Sequence, residues 1–278
     1  MLLSVVLVGW LAGPVRSGAP AKPADSPAYL ARVDAIWQRA RKDTARPAAQ
    51  LAARTTPVGR VQNAVLTRGR KDVREIALTF DDGPHPEFTP QLLRVLKQEH
   101  VPATFFVVGT MALRSPDLIR AIAADGHTVA NHTFHHVNLT KLSVPDLFAE
   151  FEANQDAIES ITGARPRFFR PPGGNYNDTV LAAAQREGLT TMLWTENPHD
   201  YTNPPAKLIE DHIFGRAANG SVILLHDGVQ QTVDLLPKLI RTLKAKGYKF
   251  VTADQMWDRL SPRVQPAVHR PPSRKPAR

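Results

Sequence analysis

A chain of 278 residues, 42% hydrophobic and without a single cysteine, can bury one large core or two modest ones, and any metal it binds must be held by histidine and carboxylate. Its formal charge of +9 is confined to an N-terminal region (Arg39, Arg41, Lys42, Arg46, Arg54, Arg60, Arg68, Arg70, Lys71) and a tail (Arg263, Arg270, Arg274, Lys275, Arg278), with 72–260 slightly acidic. No aromatic residues are interleaved with these charges, which argues against nucleic acid, and basic flanks on a near-neutral domain suggest attraction to an anionic wall or membrane surface.

Taken in chain order, residues 2–13 form an apolar run too short to span a bilayer, followed by the small residues Ser17, Gly18, Ala19, Pro20 and Ala21. This matches the apolar region and cleavage site of a secretory signal over 1–21, without the usual basic leader, and predicts a secreted or cell-envelope protein. In the next segment, 22–74, Tyr29, Leu30, Val33, Ile36 and Trp37 fall at helical spacing within 26–53, and 54–74 reads as a polar linker. From 75 to 260 the periodicity alternates. Short apolar runs at 75–80, 103–108, 128–131, 167–170, 190–194, 221–225 and 248–251 read as buried strands. Amphipathic stretches at 89–99, 116–124, 144–161, 178–187, 205–217, 233–246 and 253–260 read as helices. Ser115 and Ser143 are placed as N-caps, and Gly126, Gly163, Gly188 and Gly247 as helix C-termini. Strand followed by helix, about seven times over, implies an α/β domain with a parallel sheet, either closed into a barrel or open and doubly wound. No glycine-rich loop follows the first strand, which counts against nucleotide binding. The stretch 261–278 is rich in proline and arginine and reads as a disordered basic tail.

Polar residues gather where these strands end. Asp81 and Asp82 follow the first run in TFDDGP; two adjacent carboxylates at the end of an apolar strand suit a site where a cation neutralises one and the other serves as base. His132, His135 and His136 follow the third, Arg170 ends the fourth before Pro171-Pro172-Gly173-Gly174, Asp200 and Tyr201 follow the fifth, and His226 the sixth. The carboxyl ends of parallel strands share one face of a barrel, where active sites of that architecture are built. On a helical turn, His132 and His136 would stack on one side, and with a carboxylate from another strand they complete a two-histidine, one-carboxylate metal set. Such a set suits Zn²⁺, with Co²⁺, Ni²⁺ and Fe²⁺ also compatible.

The motifs TFDDGP, NHTFHH, FFRPPGG, Trp194 to Tyr201 and ILLHDG stand in the order and spacing of the polysaccharide deacetylase family, the NodB-homology or carbohydrate esterase family 4 group, which 75–260 resembles. The resemblance implies a distorted (β/α) barrel of about seven parallel strands. It also implies removal of acetyl groups from a sugar polymer with a divalent metal. It assigns Asp82, His132 and His136 as metal ligands and Asp81 as catalytic base. Arg170 would hold Asp81 ionised and oriented. His226 would be the general acid, paired with Asp200. Tyr201 and Leu224, beside Pro171 and Pro172, would wall the acetyl pocket, and the Gly173 N–H would steady the tetrahedral oxyanion.

Three departures bear on substrate: Gly173 stands where the family has tyrosine, Asn197 where it has aspartate, and Tyr201 where it has tryptophan. His135 and His85 are expected outside the ligand set. The leading expectation is deacetylation of N-acetylglucosamine units, in peptidoglycan rather than chitin. The same site acting on a non-sugar amide or formamide, and a glycan-binding protein without turnover, are the alternatives.

Overall fold

The computed structural model describes residues 26–52 and 65–260. The signal-like stretch 1–21, the linker over 54–64 and the tail 261–278 lie outside the described residues.

Helix α1 (Pro27–Ala52) precedes the sheet. Two-residue β1 (Val65–Leu66) then joins the sheet, although it lies in the stretch read as linker; two residues carry too little periodicity to be seen. There follow β2 (Glu75–Gly83), α2 (Thr89–Gln98), β3 (Thr104–Val107), α3 (Gly109–Arg114) and α4 (Pro116–Ala124). Next come β4 (Thr128–Asn131), α5 (Val144–Thr162), β5 (Phe168–Phe169) and α6 (Asp178–Arg186). The chain then runs through β6 (Thr190–Met192), α7 (Ala206–Arg216), β7 (Ser221–His226), α8 (Gln230–Ala245), β8 (Lys249–Phe250) and α9 (Ala253–Asp258). Each strand and helix expected from 75 onward is present. The unexpected element is α3, whose six residues cover too few turns for a periodic signal. Because α3 runs into α4, Ser115 is a joint, and its side chain makes no capping bond. Ser143 caps α5 as expected, accepting from Asp146 N–H, and Gly163 closes that helix in the left-handed conformation.

All strand pairings are parallel, in the order β1-β6-β5-β4-β3-β2-β7, with β8 beside the start of β2. Beyond β6 the chain crosses to β7: Thr195 N–H donates to Val222 O, Leu224 N–H to Glu196 O, and Glu196 bridges Ile223. This contact curls the sheet into a distorted barrel and excludes the open, doubly wound alternative. Strand alternation divides the core in two. Ile76, Leu78 and Phe80 face outward and are buried among the apolar faces of α2 and α8. Ala77 joins Phe106, Ala130, Phe168, Met192 and Val222 in the interior, together with Met256 and Trp257 of α9. Helix α9 covers the amino ends of the strands: its Ala253 N–H donates to Thr104 Oγ1, and its Asp254 receives Thr128 and Arg167. The carboxyl ends, where the polar motifs fall, are left for function.

Helix α1 lies along α5. Tyr29, Val33, Ile36, Trp37 and Ala40, spaced at three and four residues, form its apolar stripe against Ala149, Ala153 and Ala157. Arg41 pairs with Asp146 at 3.3 Å, and Arg186 of α6 reaches Gln50 at 2.7 Å. Among the described residues no helix is long and apolar enough to cross a membrane.

Candidate active site and metal centre

A strand normally sends consecutive side chains to opposite faces, yet Asp81 and Asp82 both serve the mouth of the barrel. The reason is a break in register between Phe80 and Gly83, with Asp82 at φ +71°, a left-handed conformation that aspartate tolerates better than most residues. Asp81 stays buried inside the barrel, while Asp82 is re-aimed and half-exposed.

The two histidines do not sit on a helical turn, as their spacing had suggested. Residues 132–136 form a loop in which Thr133 (φ +65°) and His136 (φ +57°) are left-handed. This conformation folds the loop back so that the two imidazole centroids lie 5.0 Å apart. Left-handed non-glycine residues cost energy, on the order of 1–3 kcal/mol each, and persist where the surroundings hold them. Here every backbone N–H from Thr133 to His136 is held. Thr133 N–H donates to Asn131 Oδ1, Phe134 and His135 N–H both donate to Glu150 Oε2, and His136 N–H donates to Thr133 Oγ1. The carbonyls of Thr133 and Phe134 accept from the N–H groups of Gly109 and Thr110 at the start of α3. His135 bonds through Nδ1 to Glu150 Oε1 at 2.7 Å and so belongs to this scaffold.

Asp82 Oδ1 lies 3.2 Å from His132 Nε2 and 3.0 Å from His136 Nε2, and one donor atom from each of the three residues falls within 4.8 Å of the others. His132 Nδ1 donates to Arg170 O at 2.8 Å, so Nε2 carries its lone pair toward Asp82, the orientation a ligand imidazole needs. Burial raises the Asp82 carboxyl, but the two imidazoles together outweigh it and hold the group well below the usual carboxylate range. The donor set of two imidazole nitrogens and one carboxylate, with His132 buried and Asp82 and His136 half-exposed, fits a divalent transition metal with positions open toward solvent.

Arg170 is fully buried at the end of β5 and spans the barrel. Its Nη1 donates to Asp81 Oδ1 at 2.7 Å and to Thr79 Oγ1 at 2.8 Å; Nε and Nη2 donate to Met192 O and Leu193 O. The guanidinium stacks 4.0 Å over the Phe106 ring. Asp81 is thereby anchored through Oδ1, and its Oδ2 stands 3.8 Å from His132 Nε2, beside the candidate metal site. After Arg170, Pro171 and Pro172 are buried and lead into a tight turn in which Gly174 N–H returns to Pro171 O. Gly173 adopts φ +63°, a left-handed conformation that glycine takes without strain.

His226 ends β7 in direct register with Asp81 on β2. Its Nδ1 pairs with Asp200 Oδ1 at 2.7 Å. Asp200 is fully buried, and its Oδ2 accepts from His226 N–H and from Thr232 Oγ1. Burial pulls the imidazole pKa down, but the bond to Asp200 and the nearby charges of Asp81 and Asp82 more than offset it, leaving His226 raised. Tyr201 meets the His226 ring edge-on at 4.9 Å and is half-exposed; Leu224 is buried two residues before His226, on the same face of β7. Asn197 turns inward to its own loop, accepting His199 N–H, and His85 lies in the loop after β2 beside Phe88.

The structure therefore brings Asp82, His132 and His136 together beside Asp81 and Arg170, and His226 together with Asp200 and Tyr201 in register with Asp81. It adds three from outside the motifs, Glu150, Asn154 and Thr232, and gives a role to Asn131, the first residue of NHTFHH; all four act by bonding to backbone or to another side chain. Asn154, for example, donates to Val107 O, Asn131 Oδ1 and Thr133 O. Only a buried polar residue on the apolar face of α5 could have signalled it.

Residues 68–192 match the family model described as polysaccharide deacetylase. A peptidoglycan-N-acetylglucosamine deacetylase of Bacillus cereus is 39% identical over 186 residues, covering 65% of this chain and 87% of the relative. A chitooligosaccharide deacetylase of Bradyrhizobium is 37% identical over 198 residues, covering 66% of this chain and 90% of the relative. Among solved structures, a peptidoglycan N-acetylglucosamine deacetylase in complex with 4-naphthalen-1-yl-N-oxidanyl-benzamide superposes with a TM-score of 0.69 at 36% identity, over 72% of this chain and 96% of that one.

Proposed function

The chain belongs to the polysaccharide deacetylase family, and from that premise we propose that it hydrolyses the N-acetyl groups of N-acetylglucosamine units in peptidoglycan, using Zn²⁺ held by Asp82, His132 and His136. The observation that carries the reading is the pairing of two devices on one barrel face. A carboxylate anchored by a buried arginine stands beside the candidate metal site, and a histidine backed by a buried carboxylate sits opposite it in strand register.

A divalent ion bound there supplies Lewis acidity, polarising the acetamide carbonyl and making water acidic near neutral pH. Asp81 receives the proton of the attacking water on Oδ2, the oxygen that Arg170 does not hold. The Gly173 N–H is assigned to the developing oxyanion, a donor whose loss costs about 2.7–4 kcal/mol in comparable sites. His226, its Nδ1 engaged by Asp200, donates from Nε2 to the departing amine. Water and amide become acetic acid and the free glucosamine amine, which ionise to acetate and ammonium, with the proton gained by Asp81 balanced by the one given up by His226.

The relatives include peptidoglycan and chitooligosaccharide deacetylases alike, so peptidoglycan is preferred over chitin on the export-like composition of 1–21, which also supports a place in the cell envelope. The open exposure of Asp82, His136 and Tyr201 suits a polymer better than a small amide enclosed in a pocket. A binding protein without turnover would not require Asp81, Arg170, Asp200 and His226 to be held as they are. Attraction to an anionic wall has fewer cations to draw on than the composition suggests. Arg39 and Arg41 pair with acids of α1 and α5, and Arg70 pairs with Asp72.

Acetate release from purified peptidoglycan and from chitin oligomers, alongside zinc content and an Asp81→Asn control, tests the reading. Zinc-dependent release that Asp81→Asn abolishes is expected. No release from any acetylated glycan by zinc-loaded protein overturns it.

A further inference from the structure

The stretch matched by the family model begins at residue 68, so α1 lies outside it and plays no part in the chemistry above. Nevertheless α1 reaches the metal-ligand loop. The Trp37 indole stacks on Phe134, ring centroids 6.0 Å apart and planes 10° apart, and meets His135 edge-on at 4.7 Å. Phe134 and His135 are themselves in edge contact at 4.7 Å, so the three rings form one cluster. Phe134 and His135 lie between the two histidine ligands in sequence and donate their N–H groups to Glu150. A second attachment lies one step away: Tyr29 Oη donates to Thr110 O at 3.0 Å, and Thr110 N–H holds Phe134 O.

The loop needs such support. Two of its residues are left-handed, and in that conformation His136 Nε2 stands 3.0 Å from Asp82 Oδ1. Glu150 is the main internal restraint, a buried carboxylate that accepts two N–H groups of the loop and bonds to the His135 ring, and Trp37 packs edge-on against that same ring. Removing the indole would open this cluster on the α1 side while leaving every ligand in place.

Resting on the metal-site reading of Asp82, His132 and His136, we propose that Trp37 is a positioning residue for the ligand loop, and α1 the brace that presents it. Trp37 touches neither a ligand side chain nor the reacting groups and acts through Phe134 and His135.

The test uses the full chain and compares Trp37→Ala, Trp37→Phe and Val33→Ala, the last removing α1 packing elsewhere on the same stripe. Three quantities are read: Zn²⁺ affinity by competition with a chromophoric chelator, amide exchange across 133–136 in metal-free protein, and thermal midpoint. In Trp37→Ala, Zn²⁺ affinity falls by about tenfold or more, the loss typical of an outer support for a metal ligand, and exchange across 133–136 accelerates. Trp37→Phe restores most of both, and Val33→Ala lowers the midpoint without moving either. Unchanged affinity and exchange in Trp37→Ala overturn the proposal, as does an equal loss in Val33→Ala. Wild-type protein that fails to bind Zn²⁺, or binding that survives His132→Ala, overturns the metal reading and this proposal with it, so the two failures are distinguishable.

Discussion

At the scale of single residues, the site assigns opposite environments to two acid–base groups. Asp81 is anchored by Arg170 with one oxygen left over, while His226 is anchored by Asp200 with one nitrogen left over. Replacing Asp81 by asparagine preserves the shape and the arginine contact but removes the base, so kcat falls by about 10²–10⁴ while zinc content holds; kinetics with metal analysis check both. His226 must enter the reaction protonated, so kcat/KM declines as pH rises through its pKa. Burial works to lower that pKa and the carboxylates of Asp200, Asp81 and Asp82 work to raise it, with His136 opposing them from the ligand loop. Asp200→Asn removes the largest raising contribution, so the alkaline limb of the profile moves to lower pH. A limb that stays in place assigns it to another group. These residues were legible because each is an uncommon type at a strand end. Thr232 was not, since a threonine early in a helix is ordinary and its meaning comes only from the 2.6 Å bond to Asp200.

At the scale of elements, the loop 132–136 shows where spacing misleads. An interval of four residues suggests a helical turn, but the two left-handed residues achieve the same convergence, and they are stable because Asn131, Glu150 and α3 satisfy the backbone. Asn131 belongs to the motif itself, but Glu150 and α3 come from separate elements, and nothing local to the motif announces those two. The α3 contact depends on Gly109. A Cβ placed there would lie 2.4 Å from Phe134 Cδ2 and 3.1 Å from Asn154 Oδ1, so α3 can dock on the loop only without a side chain at that position. Gly109→Ala is expected to cost about 1–3 kcal/mol of stability, the usual cost of overpacking, and to weaken Zn²⁺ binding because the displaced neighbour is the ligand loop. Urea denaturation and a metal titration of the same variant measure the two effects. A stability loss with unchanged affinity would place the strain elsewhere in the core. The strands and long helices were legible because both faces of a parallel strand are buried and each helix has one apolar stripe. Short β1 and α3 were not, because two and six residues carry no usable period.

At the scale of the whole molecule, the barrel separates roles by its two ends, with α9 covering the amino ends and the reacting groups collected at the carboxyl ends. That polarity was readable from the order of motifs, whereas barrel closure was legible only through the family resemblance and not from periodicity, since it depends on Thr195 and Glu196 crossing to β7 beyond any recognisable strand. The seam between α5 and α6 carries a further titratable feature. Arg165 bonds to Glu152 at 2.6 Å and reaches Asp156 and Glu159, while burial, then the charge of Glu152, pushes Glu187 up to about 8. In the unfolded chain Glu187 titrates near its ordinary 4.5, so from there to about 8 the folded state holds a proton that the unfolded state has lost. The contribution to stability is therefore complete below the lower value and is lost as pH rises toward the upper one. The thermal midpoint of the wild type should fall between pH 5 and pH 8 more steeply than that of Glu187→Gln, which keeps the hydrogen bond without the charge. The two midpoints should differ most at the alkaline end, in favour of the variant. Parallel midpoints across this range would show that the Glu152–Glu187 pair does not retain a proton in the folded protein.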